Sequence, residues 1–234
     1  MHDRQDSWEP SARVAELLFV DFDGAAADPD DVISDGLDGG YRDRSAPLRH
    51  VLQDPDEDPT GRFLACVALT RWGDAAGYAS VITAAHSPEA VPWRGASYDR
   101  LHSQDDTFGV LADAVGDSAD MVEERGTKPE RVKAAQALFE LVDSVQFDRH
   151  ISSLLRRDLV DSSLSVVKDA VGRGLARLSQ ENLSFDLGLQ LALVIVATRR
   201  VDAEWAGEAA RALLASDPGE RAVRELREAF PASQ

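Results

Sequence analysis

Residues 60–86 carry the feature that most constrains the fold, because two apolar helical patterns meet there at a break formed by Gly73 and Asp74. In each pattern apolar residues recur three and four positions apart, as on one face of an α-helix. Gly73 can adopt a positive φ and end the first helix, and the Asp74 carboxylate can accept a hydrogen bond from a free amide of the next. A break this short predicts an antiparallel helix pair. Such a pair cannot bury both of its apolar faces alone, so further helices are expected to stack on it.

This segment resembles the HEAT family of α-solenoids. The resemblance rests on Ala68-Leu69 in the first helix, Gly73-Asp74 in the turn and Val81-Ile82 in the second helix. Where the family has a proline early in the second helix, this chain has Gly77-Tyr78. The resemblance implies an all-α superhelix of stacked antiparallel helix pairs, which usually serves as a binding surface.

Helix-start signals recur along the rest of the chain. Thr127 with Glu130 has the pattern of a capping box, and Asp217-Pro218 combines an aspartate cap with a proline in the first turn. The predicted helices lie near 8–20, 29–36, 46–53, 60–72, 74–86, 105–124, 129–145, 148–158, 161–180, 184–200, 203–215 and 218–229. Those at 129–145 and 184–200 have the broadest apolar faces and are expected to be the most buried. We therefore predict one all-α domain over 1–234, with a long loop or subdivision near 87–104.

The charge of the chain narrows the classes of partner. It has 42 acidic and 25 basic residues, a net charge of −17, and residues 1–60 alone hold 16 acids and 5 bases. Such a surface repels phosphate backbones and anionic membranes, which disfavours nucleic-acid and membrane binding. A DNA-binding helical repeat stays an alternative only if basic residues of the second half share one surface. These are Arg156, Arg157, Arg173, Arg177, Arg199 and Arg200.

Location is predicted from apolar runs and from cysteine use. The polar first residues predict no secretory signal, and the longest apolar run, Leu187–Thr198, is too short to span a bilayer. A single cysteine, Cys66, permits no internal disulfide and fits a reducing compartment. We expect a cytoplasmic protein with a buried, inert thiol.

The segment Leu17–Gly24 supports a different interpretation. An apolar run followed by Asp21-Phe22-Asp23-Gly24 resembles the first motif of haloacid dehalogenase-like phosphatases. That resemblance implies Asp21 as nucleophile and Asp23 as general acid beside a Mg²⁺ ion. However, Ala25 replaces the usual threonine, and the alternation of strands and helices that a parallel sheet needs is missing. The favoured interpretation places Phe22, with apolar residues before it, on the face of a first helix.

We therefore predict a non-catalytic protein-binding module without a cofactor or a metal. The five histidines show no spacing typical of a zinc site. The acidic N-terminal third is expected to meet a basic protein partner, as in an adaptor or an immunity protein that masks a basic toxin. Trp93 is the candidate anchor, because aromatic side chains dominate interface energies. The candidate partner-binding residues are Trp93, Arg94, Asp54, Asp56, Glu57 and Asp58.

Overall fold

The computed structural model describes residues 8–99, 104–178 and 184–231, and this part of the chain is helical. The α-helices are α1 (Ala12–Leu18), α2 (Pro29–Asp35), α3 (Tyr41–Gln53), α4 (Pro59–Arg71), α5 (Ala75–His86), α6 (Thr107–Asp117), α7 (Val122–Arg125), α8 (Lys128–Phe139), α9 (Ile151–Leu154), α10 (Arg157–Ser162), α11 (Leu164–Arg177), α12 (Leu187–Thr198), α13 (Ala203–Ala215) and α14 (Glu220–Ala229). Short 3₁₀ turns cover Gly36–Asp38, Pro88–Ala90, Ser118–Met121 and Asp148–His150. Two-residue strands, β1 (Tyr98–Asp99) and β2 (Gln104–Asp105), form one antiparallel pair. The all-α prediction is confirmed. None of the described helices is long and apolar enough to cross a membrane.

The predicted helix pair is present as α4 and α5, joined at Gly73 and Asp74. Gly73 has a φ of 69°, in the left-handed region, and Asp74 accepts a 3.0 Å hydrogen bond from the Ala76 amide at the start of α5. Gly77 lets the two helices approach closely, since a Cβ there would lie 2.4 Å from the backbone nitrogen of Thr70. The turn and the interhelical contact are thus both specified by residues of the pair itself.

Helices that are close in sequence pack on one another. Helix α4 contacts α3, α5 and α6, and α5 also packs along α8. Helix α6 packs on α8 and α9, and in the C-terminal part α12 contacts α11, α13 and α14. The core is therefore assembled by successive helices along the described chain.

The expectation that 129–145 and 184–200 are the most buried helices is confirmed only for α12, because α6 is buried over a larger share of its length than α8. Several helix bounds also differ. Most of α12 is buried, and the buried part of α8 includes Leu138 and Phe139. Helix α8 ends at Phe139 rather than near 145, because the following turn is held by the buried amide of Gln190. That amide donates to the carbonyls of Val142 and Val145 and accepts from the Phe147 amide. Likewise, α3 begins at Tyr41, before the predicted start at 46, and the predicted helix 105–124 is broken at Ser118–Met121.

Aspartates cap many of the helices, but not all of the predicted caps are correct. Thr127 makes no side-chain cap, since its hydroxyl donates to the Gly73 carbonyl instead and ties α8 to the α4–α5 turn. Helix α14 begins after Gly219, so Asp217 is not its cap. Side-chain N-cap bonds are made by Asp28, Asp58, Asp74, Asp186 and Asp202. Five aspartates of the loops therefore bind the free amides at helix starts.

The predicted first helix is shorter than expected and does not include Phe22. After α1 the chain turns back through a single bridge between Val20 and Ala26. The Arg44 guanidinium holds this turn by donating to the carbonyls of Leu17, Val20 and Asp21, at 2.7–2.8 Å. Phe22 lies at the tip of the turn and is exposed, so the prediction that it lies on the face of a first helix is wrong.

Candidate protein-binding surface

The acidic loop between α3 and α4 is attached to the first described residues of the chain. Asp58 accepts a 2.6 Å hydrogen bond from the Trp8 indole and also caps α4 through the Thr60 amide, at 2.8 Å. The indole is thereby oriented by a carboxylate that the helix start already fixes in place. Trp8 also lies against Phe19, with ring centroids 6.1 Å apart and an interplanar angle of 48°.

The other carboxylates of this loop have mixed roles. Glu57 accepts from the Ser11 hydroxyl at 3.0 Å, and Asp54 accepts from the Arg13 guanidinium at 3.3 Å. Asp54 also accepts from the Asp56 amide at 3.0 Å, which shapes the loop, while the Asp56 side chain is exposed. The four predicted acids therefore lie on one loop that is held by its own turn and by α1, with the carboxylates at its surface.

Two aromatic side chains lie at the surface of the same N-terminal region. Trp8 is 36% exposed and Phe22 is 41% exposed, while the other large hydrophobic side chains of the described residues are buried or half-buried. The Phe22 ring is covered on one face by the Arg44 guanidinium, 3.9 Å from its centroid. Phe22 packs at the start of α3, against Gly40, whereas the 54–58 loop follows the end of α3, and we use the name acidic-aromatic surface for these two parts together. It consists of Trp8, Phe19, Phe22, Asp54, Asp56, Glu57 and Asp58.

The structure buries Trp93 but leaves Arg94 exposed. Trp93 is 5% exposed, because its ring packs on Phe63 with centroids 5.5 Å apart. The prediction that Trp93 is an exposed anchor is therefore wrong. Arg94 is paired within its own region, with Glu89 at 2.7 Å and with Asp105 at 3.3 Å. Of the predicted long loop 87–104, residues 100–103 lie outside the described part of the chain.

An open groove borders the acidic loop. It has a volume of 860 Å³ and lies between α1 and α3. Its lining consists of Arg13, Ala46, Pro47, His50, Gln53 and Asp54. The groove thus joins a small apolar strip on α3 to one end of the acidic loop.

The charge of the chain is strongly asymmetric around this surface. Residues 1–148 hold 30 acids and 13 bases, a net −17, whereas residues 149–234 hold 12 of each. The excess of carboxylates also acts locally in the N-terminal region. The pKa of Asp30 is raised by burial and by the nearby carboxylates of Asp28 and Asp31. In the C-terminal part, Arg173 and Arg177 are both paired with a buried carboxylate of the α8–α9 connection. The acidic-aromatic surface therefore belongs entirely to the part of the chain that carries the net charge.

The two aspartates of the phosphatase-like motif lie in the turn after α1. One carboxylate oxygen of Asp21 accepts from the amides of Asp23, at 2.9 Å, and Ala25, at 2.7 Å. Asp21 thus stabilises the turn, and the only sheet in the described residues is the two-residue antiparallel pair of β1 and β2. The described residues contain no group of three or more histidine, cysteine or acidic side chains placed to hold a metal ion.

Trp8 and Phe22 were missed by the sequence analysis for a physical reason. Trp8 is flanked by polar residues and belongs to no apolar period, whereas the apolar run before Phe22 predicts that it shares the face of a first helix, which in the structure ends at Leu18. An aromatic residue isolated in this way could itself have been the signal, because it has no apolar neighbours to pack with locally. Trp93 also lacks a periodic pattern, but a distant helix covers it, and local sequence does not reveal that contact.

No protein-family model, curated protein or solved structure matches this chain.

Proposed function

We propose that this chain is a non-catalytic protein-binding module that recognises a basic partner through the acidic-aromatic surface. The observation that carries the proposal is the position of Trp8 and Phe22. They are the exposed large hydrophobic side chains of the described residues, and both lie in the region that holds the excess of acids.

The surface combines the two components that protein recognition uses. Aromatic side chains supply large contact areas and account for much of the affinity at interface hot spots. A surrounding excess of carboxylates attracts a basic partner over a longer range and raises the association rate. The Asp58 hydrogen bond fixes the Trp8 indole before binding, so less side-chain freedom is lost on association.

The packing of the helices supports a HEAT-like superhelix as the scaffold for this surface. Helices α4 and α5 form one pair and α6 and α8 form the next. The first members, α4 and α6, lie side by side, as do the second members, α5 and α8. This is the order expected of stacked helix pairs. An adaptor or immunity-type protein of the cytoplasm that masks a basic partner fits this combination of scaffold and charge.

The proposal is tested by selecting short random peptides displayed on phage against the immobilised full chain. Selected peptides should be enriched in lysine and arginine together with apolar residues, and their affinity should fall as salt is raised. Neutralising the loop with Asp54→Asn, Asp56→Asn, Glu57→Gln and Asp58→Asn should weaken binding by about tenfold or more, which corresponds to about 1.4 kcal/mol. Asparagine at position 58 retains the helix cap, so the fold is preserved.

A matched control makes the same change of net charge elsewhere. Asp161→Asn, Asp169→Asn, Glu204→Gln and Glu208→Gln alter exposed acids in the electrically balanced part of the chain. For the aromatic anchor, Phe22→Ala is compared with Phe230→Ala, because each ring is covered by an arginine, Arg44 or Arg199. Equal losses in the test and control variants would refute the proposed surface.

A further inference from the structure

A histidine outside the acidic-aromatic surface lies between two carboxylates. His150 ends the 3₁₀ turn before α9 and is largely buried against α6. Its Nδ1 is hydrogen-bonded to one carboxylate oxygen of Asp113, and its Nε2 lies 3.9 Å from the Asp106 carboxylate. The other Asp113 oxygen accepts from the Ser153 hydroxyl at 2.5 Å. Asp113 of α6 is thus hydrogen-bonded to both His150 and Ser153.

The ring is confined by the helix on which it packs. A Cβ at Gly109 would lie 2.8 Å from Cδ2 of His150, so the imidazole rests almost directly on the α6 backbone. The ring therefore has little room to turn away from either carboxylate. Among the described residues, Oδ1 of Asp106 is buried and has no hydrogen-bond partner, so this carboxylate is incompletely satisfied within that part of the chain.

This arrangement distinguishes the two protonation states of the imidazole. A neutral ring carries one N–H and can donate to only one of the two carboxylates, whereas the imidazolium can donate on both sides. The charged groups that act on His150 are Asp113 and Asp106 from α6 and its start, and Arg149 from its own segment. The Asp113 hydrogen bond raises the pKa of His150, and this outweighs the lowering by burial and by Arg149.

We propose that His150 is a proton-dependent latch that fastens the segment 148–154 to α6. The latch is closed when the imidazole is protonated and paired with both carboxylates. Because the pKa of His150 is raised in the folded state, its stabilisation is complete below the unfolded pKa of about 6.5. It is lost as the pH rises through the higher folded value. The latch joins residues 1–148, which carry the net negative charge, to residues 149–234, which hold equal numbers of acids and bases.

The first test is an NMR titration of the histidine ring protons in the full chain. The midpoint of the same signal in the urea-unfolded chain serves as the reference. The His150 signal should titrate at a higher pH in the folded chain than in the unfolded one. Asp113→Asn keeps the histidine but removes its charged partner, so this variant should move the folded midpoint toward the unfolded reference. A folded wild-type midpoint at or below the unfolded reference would overturn the proposal.

The second test measures whether the proton controls the segment. Amide hydrogen exchange, corrected for the intrinsic effect of pH, should show several-fold weaker protection of 148–155 above the His150 midpoint than below it. His150→Gln should remove this pH dependence, whereas the control His86→Gln should retain it. Equal pH dependence in wild type and His150→Gln would refute the latch, as would an unchanged midpoint in Asp113→Asn.

Discussion

Replacing Asp74 is predicted to destabilise the fold more than replacing any exposed helix cap. Asp74 is buried at the α4–α5 turn, and its carboxylate accepts hydrogen bonds from Nε and Nη2 of Arg49 at 2.5–3.1 Å. It also pairs with Arg125 of α7 and caps α5. One carboxylate therefore joins α3, α5 and α7.

The loss in the free energy of unfolding depends on which charged and polar groups each substitution leaves without a partner. Removing one partner of a fully buried ion pair costs about 3–5 kcal/mol, because a buried charge loses its compensation. Arg49 is 44% exposed and can be rehydrated, whereas Arg125 is only 17% exposed. We therefore expect the lower end of that range, about 3 kcal/mol for Asp74→Ala, of which about 1 kcal/mol is the lost cap. Asp74→Asn keeps the cap and should cost about 2 kcal/mol.

Urea unfolding followed by circular dichroism at pH 7 measures these changes in the free energy of unfolding. Asp28 provides the matched control, since it caps α2 in the same manner but is exposed and forms no ion pair in the described structure. Asp28→Ala should cost about 1 kcal/mol and Asp28→Asn close to nothing. If Asp74→Asn costs no more than Asp28→Asn, the reasoning about the buried charge is wrong.

The effect of pH supplies an independent check of the same prediction. Burial raises the pKa of Asp74, but hydrogen bonds from Arg49 and the Ala76 amide, with the charges of Arg49 and Arg125, lower it by more. The folded pKa is thus below the unfolded value of about 3.9. The stabilisation is present above the unfolded pKa and is lost as the pH falls through the folded one. The difference in stability between wild type and Asp74→Asn should therefore shrink in acid, and a constant difference would contradict the assignment.

Three further predictions concern the interior of the described structure. Gly77→Ala should destabilise the α4–α5 pair by about 2 kcal/mol, because the added Cβ would collide with the Thr70 backbone. Gly172→Ala, where α11 has open space around the added Cβ, should stabilise the protein by about 0.5–1 kcal/mol. Thermal unfolding measures both changes, and equal shifts would refute the close packing at Gly77. Burial raises the pKa of the Cys66 thiol to about 12, so it should not react with a thiol reagent at pH 8 until the protein unfolds, and reaction at the rate of a free thiol would contradict this. Gln190→Leu should lower the free energy of unfolding, measured in urea, by about 2–3 kcal/mol, because it leaves buried backbone groups of the turn after residue 141 without partners. A change below about 0.5 kcal/mol would show that this turn is stable without the Gln190 side chain.

Local sequence determined the helical class of the fold, but not which side chains reach the surface. The α4–α5 pair was predictable because its turn residues, Gly73 and Asp74, act on their immediate neighbours. The burial of Trp93 was not, because the covering residue, Phe63, comes thirty positions earlier and on another helix. The candidate site was therefore predicted in part. The acids of the 54–58 loop follow from composition, whereas the pairing of Asp58 with Trp8 depends on a contact between distant segments.

The asymmetry of charge also determines how the molecule should orient on a charged support. All of the net charge of −17 belongs to residues 1–148, so an anion-exchange resin should adsorb the protein by its N-terminal helices. The C-terminal helices would then face the solvent, and the acidic-aromatic surface would be occluded by the resin. Immobilisation through the C-terminal part of the chain should leave that surface free, so the attachment point decides whether the proposed basic partner can reach it.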